Sequence, residues 1–352
     1  MVLLGSTGSI GVNTLKVAKE FGIEVEVLVA GQNTDLLNKQ IKIHSPKAVV
    51  ISNKEDIPKI QHPKVYAGEE NILKVIEDSK SKLVVNALVG FLGLRPTLKS
   101  LECGKKLALA NKESLVACGN FIDTSKIQPI DSEHFGLWYL LQDKVISKMI
   151  ITASGGAFRD WDINRLKNAT LSDTQKHPNW NMGQKITIDS ATMVNKMFEL
   201  LEARWLFGEG QYDAIIETKS LIHALINFND GSTTAHFANA NMQLPIAYAL
   251  NKKVDKNILK HVDLLDVKTL EFREIDKQRY PIWQLKEDIL KNPIKGIVLN
   301  AANEVAIDRF VNKKIGFMDI SKTIIKAYEK DFATPKSIDD IFALDKEIRE
   351  NI

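Results

Sequence analysis

Residues 5–11 read GSTGSIG, directly after the apolar run VLL and opening the amphipathic stretch SIGVNTLKVAKE. Strand, glycine-rich turn and helix start, in that order, are the context a dinucleotide-binding loop requires. Gly5 permits the tight turn, Gly8 a close backbone approach to a pyrophosphate, and Gly11 the packing of helix on sheet. The spacing is G-x-x-G-x-x-G, and a merely structural glycine turn is the competing reading. Outward from this loop, the short apolar runs VEVLVA, KAVVIS, KLVVNAL, KLALA and IQPID alternate with helical stretches such as PTLKSLECG. Buried strands separated by helices predict an α/β fold with a parallel sheet covered on both faces.

The pattern changes beyond residue 130. KMIITAS reads as a strand, SATMVNKMFELLEARWLFG as one long helix, and LIHALINF and STTAHFAN flank NDG as an antiparallel hairpin. The polar stretch NKKVDKNILK reads as a boundary, and from RYPIW onward the signals are helical, as in NAANEVAIDRFVNKK and ISKTIIKAYEK. The expected organisation is a Rossmann-like NADP-binding domain over residues 1–130 and a mixed α+β catalytic domain over 131–255. A linker over 256–278 and a small C-terminal helical domain over 279–352 follow.

With 352 residues, 44% hydrophobic and 26% charged, the chain can bury a large core. A net charge of +3 with dispersed lysines carries no electrostatic footprint for nucleic acid or an anionic membrane. The two cysteines, Cys103 and Cys118, lack C-x-x-C spacing, which argues against a disulfide framework or a zinc site and fits a reducing cytoplasm. No secretory leader or membrane-length apolar run is visible, so a soluble, cytoplasmic protein is expected. Only Met1 to Leu4 precede the first glycine, so the opening strand is expected to be minimal.

The second strand, VEVLVA, ends in Gly31, Gln32 and Asn33, with no acid to grip the ribose hydroxyls of NAD. That absence favours NADP, although no Arg or Lys stands at this turn to pair with a 2′-phosphate. Chemistry-bearing residues cluster elsewhere. PIDSEH at 129–134 sets Asp131 and Glu133 two apart, on one side of the chain if the segment is extended, where convergent carboxylates need a cation. The competing reading makes Asp131 or Ser132 a helix cap. LALANKES places Asn111, Lys112 and Glu113 just past a buried strand, and Ser114 could cap the helix there. TASGG offers Ser154 and two glycines at a strand end, either an anion-binding turn or merely a tight one. HPNWNMG, His177 to Gly183, reads as a loop whose Trp180 packs on the core or closes over a ligand. In the helix after Asp189, Ser190 stands at the start, where a phosphate would be well placed, and Asn195, Lys196 and Glu199 follow on one face. Lys196 and Glu199 could equally form a surface ion pair. One picture unites these: Ser154, Ser190, Asn195, Lys196 and His177 hold a phosphate, while Asp131, Glu133 and Glu199 hold Mg²⁺ or Mn²⁺ through oxygen.

GSTGSIG, VAGQN, LALANKESLV, PIDSEH, TASGG, HPNWNMGQKITIDSATMVNKMFELLEARWLF and LNAANEVA, in this order, closely resemble the 1-deoxy-D-xylulose 5-phosphate reductoisomerase family over nearly the whole chain. The resemblance implies reduction and rearrangement of 1-deoxy-D-xylulose 5-phosphate, a phosphorylated ketose, to 2-C-methyl-D-erythritol 4-phosphate by NADPH, in non-mevalonate isoprenoid synthesis. It implies Asp131, Glu133 and Glu199 as metal and catalytic residues, with Lys112 between substrate and nicotinamide. Ser132 and Trp180 would contact substrate, and Ser154, His177, Ser190, Asn195 and Lys196 its phosphate. Met182 would belong with Trp180 to the closing loop. Thr7, Gly8, Ser9, Ile10, Gly31, Gln32, Asn33, Asn111, Glu113 and Gly183 would serve NADPH. A homodimer is expected, through the sheet bearing the NDG hairpin. Many relatives carry lysine where this chain has Gln32, which implies a reduced preference for NADPH. Two rivals remain at this point: a semialdehyde dehydrogenase, which needs a nucleophilic cysteine, and a non-catalytic NADP sensor, which would not need the acids.

Overall fold

The computed structural model describes every residue except Asn181 and Lys252. These two, one inside HPNWNMG and the other inside NKKVDKNILK, lie outside the described residues. The chain divides into two compact units: residues 1–114, 123–131 and 241–259 form the first, and residues 115–122, 132–240 and 260–352 the second.

The first unit is built on seven parallel strands: β1 (Val2–Leu4), β2 (Val27–Val29), β3 (Ala48–Ile51), β4 (Val65–Ala67), β5 (Leu83–Asn86), β6 (Lys106–Leu109) and β7 (Ile127–Pro129). Their order is β4-β3-β2-β1-β5-β6-β7. The short opening strand is therefore central, and Val2, Leu3 and Leu4 are fully buried between β2 and β5. Successive strands run outward from β1 in one direction up to β4 and in the other from β5, so the order reverses beside β1. Open α/β sheets bind ligands at such a switch point, beyond the carboxyl ends of the strands, and GSTGSIG begins there. The helix Gln243–Leu250 completes this unit: Ile246 and Ala247 join its core and pack near the helix Ser9–Glu20.

The second unit carries a mixed sheet of β8 (Ile146–Ala153), β9 (Tyr212–Glu217), β10 (Ile222–Phe228), β11 (Thr233–Phe237) and β12 (Phe272–Arg273), in the order β11-β10-β8-β9-β12. β10 and β11 form the hairpin expected around NDG, with Gly231 at φ +86° in its turn. The helix Ser132–Leu140 lies on β10 and β11, and the helices Gly296–Val311, Phe317–Tyr328 and Ile338–Asn351 close the unit. The long helix expected from residue 190 is broken. Gln184–Thr192 and Val194–Phe207 are separate helices, joined at Met193 with φ +70°. Thr192 Oγ1 accepts the N–H of Val194, satisfying a donor at the second helix start. Among the described residues no helix is long and apolar enough to cross a membrane.

Candidate functional site

In the first unit the glycine loop is held by backbone hydrogen bonds and by one buried side chain, Gln40, whose Nε2 donates to Ser6 O at 2.8 Å. The N–H groups of Gly5 and Ser6 both donate to Val29 O, at 2.9 and 2.8 Å. Gly5 has φ +84°, and a Cβ there would lie 2.4 Å from Ala87 O. A Cβ on Gly11 would lie 2.2 Å from Gly5 O. Both positions therefore exclude any side chain. Gly8 is the N-cap of Ser9–Glu20 with no side-chain cap and no acid in the first turn, so residues 7–10 present an uncapped, positive helix end, the kind of terminus that suits an anion. At the end of β2, Gly31, Gln32 and Asn33 are exposed, and Asn33 Oδ1 caps the helix Thr34–His44 by accepting from Leu36 N.

Asn111, rather than Ser114, caps the helix Lys112–Cys118: its Oδ1 accepts from Ser114 N at 3.1 Å. Its amide nitrogen donates to Leu88 O and Gly90 O, at 2.9 and 2.8 Å, tying down the loop after β5. Any service to a nucleotide would come through that loop's shape. The buried Lys112 ammonium pairs with the Asp131 carboxylate, and Glu113 is buried beside Asn111. The segment after β7 is not extended through Glu133. Asp131 precedes the helix Ser132–Leu140, whose first turn contains Glu133, and residue 131 ends the first unit where residue 132 begins the second.

In the second unit, Lys196 is 5% exposed and its Nζ lies 2.5 Å from Glu133 Oε1, 2.6 Å from Glu199 Oε2 and 2.7 Å from Thr152 O. The Lys196–Glu199 pair is thus buried, not a surface contact. Burial alone would raise the Glu133 carboxyl, yet Lys196, His223 and Ser132 outweigh it and hold it near a pKa of about 2. Burial likewise opposes the Lys196 charge, but the two carboxylates keep its pKa above the ordinary lysine value. Asn195 donates to Glu199 Oε1, and Ser132 Oγ to Glu133 Oε2 at 2.6 Å. A positive group thus sits among oxygen donors only, with no thiolate, which is the donor chemistry a hard divalent cation takes.

A second cluster assembles Ser154, His177 and Ser190. His177 Nε2 lies 2.8 Å from Ser154 Oγ and 3.2 Å from Ser190 Oγ, while its Nδ1 accepts the backbone N–H groups of Asn179 and Trp180, at 3.2 and 2.9 Å. Burial, then Lys196 and Arg159, lower His177 to about 4, so the ring is neutral near pH 7. Ser190 lies in the last turn of Gln184–Thr192, not at a helix start. What brings Ser154 beside it is Gly156, at φ +68°, where a Cβ would stand 2.6 Å from Ser190 O. Trp180 meets His223 edge to face, with ring centroids 6.1 Å apart, and Gly183 caps Gln184–Thr192 in extended conformation.

Several residues went unread in the sequence. His134, fully buried, sets its Nε2 2.8 Å from Glu199 O and its Nδ1 3.2 Å from Glu202, bracing the helix that carries Glu199. Buried Asp189 takes Lys185 at 2.8 Å and Asn303 at 2.8 Å, holding the helix that carries Ser190. His134 stood within PIDSEH and Asn303 within LNAANEVA, but nothing in the sequence pairs them with their partners. Cys118 is fully buried and its thiol is pushed up to about 12 by that burial, so it offers no thiolate to a dehydrogenase mechanism.

Comparison with known proteins places this geometry. Residues 1–119 match the family described as 1-deoxy-D-xylulose 5-phosphate reductoisomerase, residues 127–207 its C-terminal domain, and residues 237–351 the DXP reductoisomerase C-terminal domain. The 1-deoxy-D-xylulose 5-phosphate reductoisomerase of Nautilia profundicola is 57% identical, covering 99% of this chain and 98% of the relative. That of Wolinella succinogenes is 52% identical, covering 99% of both. Among solved structures, the Zymomonas mobilis reductoisomerase in complex with NADPH superposes with a TM-score of 0.88 at 32% identity, covering 99% of this chain and 96% of that one. A DOX-P reductoisomerase in complex with NADPH, fosmidomycin and magnesium gives 0.90 at 32% identity, with the same coverage.

Proposed function

The chain belongs to the 1-deoxy-D-xylulose 5-phosphate reductoisomerase family, and on that premise we propose how its residues share the family's reaction. The enzyme converts 1-deoxy-D-xylulose 5-phosphate to 2-C-methyl-D-erythritol 4-phosphate in the non-mevalonate pathway, using NADPH and a divalent cation, Mg²⁺ or Mn²⁺. When bound, the cation polarises the substrate carbonyl as a Lewis acid and the nicotinamide supplies hydride.

Residues 1–130 carry the nucleotide: Thr7, Gly8, Ser9 and Ile10 at the pyrophosphate, Gly31, Gln32 and Asn33 at the adenosine end, and Asn111 and Glu113 nearer the nicotinamide, with Gly183 contributed from outside that segment. Residues 131–255 carry the substrate, and residues 279–352 support them as a helical domain. Asp131, Glu133 and Glu199 hold the cation, and Lys112 orients the substrate toward hydride. The substrate phosphate lies against Ser154, His177, Ser190, Asn195 and Lys196. The neutral His177, with Nδ1 already accepting two N–H groups, offers Nε2–H to a phosphate oxygen. Ser132 contacts the carbon chain, and Trp180 and Met182 cover it against water.

The observation that carries this reading is the Lys196 ammonium held among Glu133, Glu199 and the Thr152 carbonyl, a position already organised for positive charge. Cation binding there would release Lys196 toward the phosphate. The test is loss of NADPH absorbance with 1-deoxy-D-xylulose 5-phosphate and Mg²⁺ or Mn²⁺, repeated with chelator and with NADH. Oxidation dependent on substrate and metal is expected. Glu199→Gln should lower turnover by ~10³-fold or more, from the loss of several kcal/mol of transition-state stabilisation, with NADPH binding retained. Retained turnover in this variant would remove Glu199 from the metal site.

A cytoplasmic homodimer completes the proposal. β11 ends the second sheet, its outer edge unpaired among the described residues, and Phe237 on it, with Trp138, Tyr139, Leu141 and Val145, is exposed. Edge pairing with a second copy would cover both the backbone groups and this apolar surface. Sedimentation should give a dimer, weakened by Phe237→Asp.

A further inference from the structure

The side chain of Asn179 is anchored to a single turn. Its Nδ2 donates to Thr218 O at 3.0 Å and to Ser220 Oγ at 2.7 Å, while its backbone N–H donates to His177 Nδ1 at 3.2 Å. Asn179 is thus wedged between His177 and the turn that follows β9.

That turn is rigid for its own reasons. Glu217, fully buried at the end of β9, accepts the backbone N–H groups of Lys219, Leu221 and Ile222 at 2.8, 2.7 and 3.2 Å. One carboxylate organises five residues, and Ser220 is held at φ +53°, a conformation that non-glycine residues adopt at a cost. A second loop uses the same anchor. Arg159 Nη1 donates to Thr218 O at 2.8 Å and to Ser154 O at 2.9 Å. The carbonyl of Thr218 therefore fixes the loop of Ser154 through Arg159 and the segment of His177 through Asn179.

The consequence falls on the imidazole. With two backbone donors at Nδ1, the proton of the neutral ring stands on Nε2, which faces Ser154 Oγ and Ser190 Oγ. If residues 179 and 180 moved off the ring, neither the tautomer nor its direction would be fixed. We infer that Asn179 is a positioning residue for substrate-phosphate recognition, docking the His177 segment on the Thr218–Ser220 turn so that Nε2–H is presented to the phosphate. This rests on the assignment of the phosphate to Ser154, His177 and Ser190.

The experiment is steady-state kinetics with NADPH and Mg²⁺ on the wild type, Asn179→Ala, Asn179→Asp, Ser220→Ala and the Asn179→Ala/Ser220→Ala double variant. Loss of the anchored hydrogen bonds should raise KM for 1-deoxy-D-xylulose 5-phosphate about tenfold in Asn179→Ala, with kcat and KM for NADPH close to wild type. Asn179→Asp, which keeps the shape but cannot donate, should rise at least as far. Ser220→Ala should show a smaller increase, and the double variant no more than Asn179→Ala alone, because both act through one contact. Single effects that multiply in the double variant, or wild-type KM in Asn179→Asp, would overturn the inference while leaving the reaction intact. A wild type with no turnover would overturn the functional reading and this inference with it. If Asn179→Ala does not fold, Ser220→Ala with Asn179→Asp decides the matter from the two ends of the same bond.

Discussion

The loop at residues 5–11 contains no ionisable side chain and is shaped by Gly5 and Gly11, which admit no Cβ, whereas the cluster around Lys196 sets one buried ammonium against the buried Glu199 and the partly buried Glu133 carboxylates. On the proposed assignment the first would receive its ligand through backbone N–H groups and a helix end, and its own stability would not depend on the ligand's charge. The second holds charges out of water that tolerate burial only because they compensate one another. A site of backbone fails by distortion, while a site of charge fails by imbalance. The two units should therefore answer differently to substitution, metal and pH.

The largest effect is expected where the balance is most exposed. Lys196→Met would leave Glu133 and Glu199 facing each other in a buried site, a loss of ~3–5 kcal/mol if the carboxylates stay ionised. Urea denaturation without metal should show that loss, and added Mg²⁺ should recover more of it in the variant than in the wild type. Equal Mg²⁺ stabilisation in both would break the comparison. Next in size, Gly5→Ala should cost ~1–3 kcal/mol through overpacking against Ala87. It should abolish NADPH binding in calorimetry without the metal-dependent recovery seen for Lys196→Met.

Acid provides a third contrast. His236 is 7% exposed, and burial followed by His223 lowers its pKa to about 4. Unfolded, it titrates near its ordinary value, so between the two the unfolded chain binds the extra proton. The sign is that stability falls as pH drops from about 6.5 toward 4. The loss attributable to His236 at pH 5 is ~2 kcal/mol relative to pH 7.5. His236→Gln should flatten the pH dependence of the urea midpoint by that amount, and an unchanged slope would refute it. The smallest effect belongs to the exposed end of the nucleotide site. Gln32→Lys should lower KM for NADPH roughly three- to fivefold through a screened surface pairing with the 2′-phosphate, leaving NADH unchanged.

The two units also differed in how legible they were. GSTGSIG announced its strand, turn and helix because Gly5 and Gly11 answer local steric demands, and NDG announced its hairpin because Gly231 takes a positive φ. The types of residue around Lys196 were legible too, in PIDSEH and in the helix carrying Glu199. Their partnership was not: Lys196, read as a phosphate ligand, reaches Glu133 across 63 positions of chain. The break at Met193 was invisible because methionine carries no preference for φ +70°. Asn179, Arg159 and Glu217 were missed because most of their partners are backbone carbonyls and N–H groups, which no pattern of side chains records. The return of residues 241–259 to the first unit was equally hidden, since the apolar helix Gln243–Leu250 does not specify which core it joins.

That return has a consequence for the order of synthesis. A ribosome releases the seven strands of the first unit early, but Ile246 and Ala247 complete its core only after strands β8 to β11 of the second unit have been made. The nascent chain must therefore carry an uncovered apolar face beside Ser9–Glu20 through more than a hundred residues of translation, a window in which a chaperone or a neighbouring chain competes for it. A fragment ending at residue 240 should aggregate or bind a hydrophobic dye, and a separately supplied peptide spanning 241–259 should suppress both.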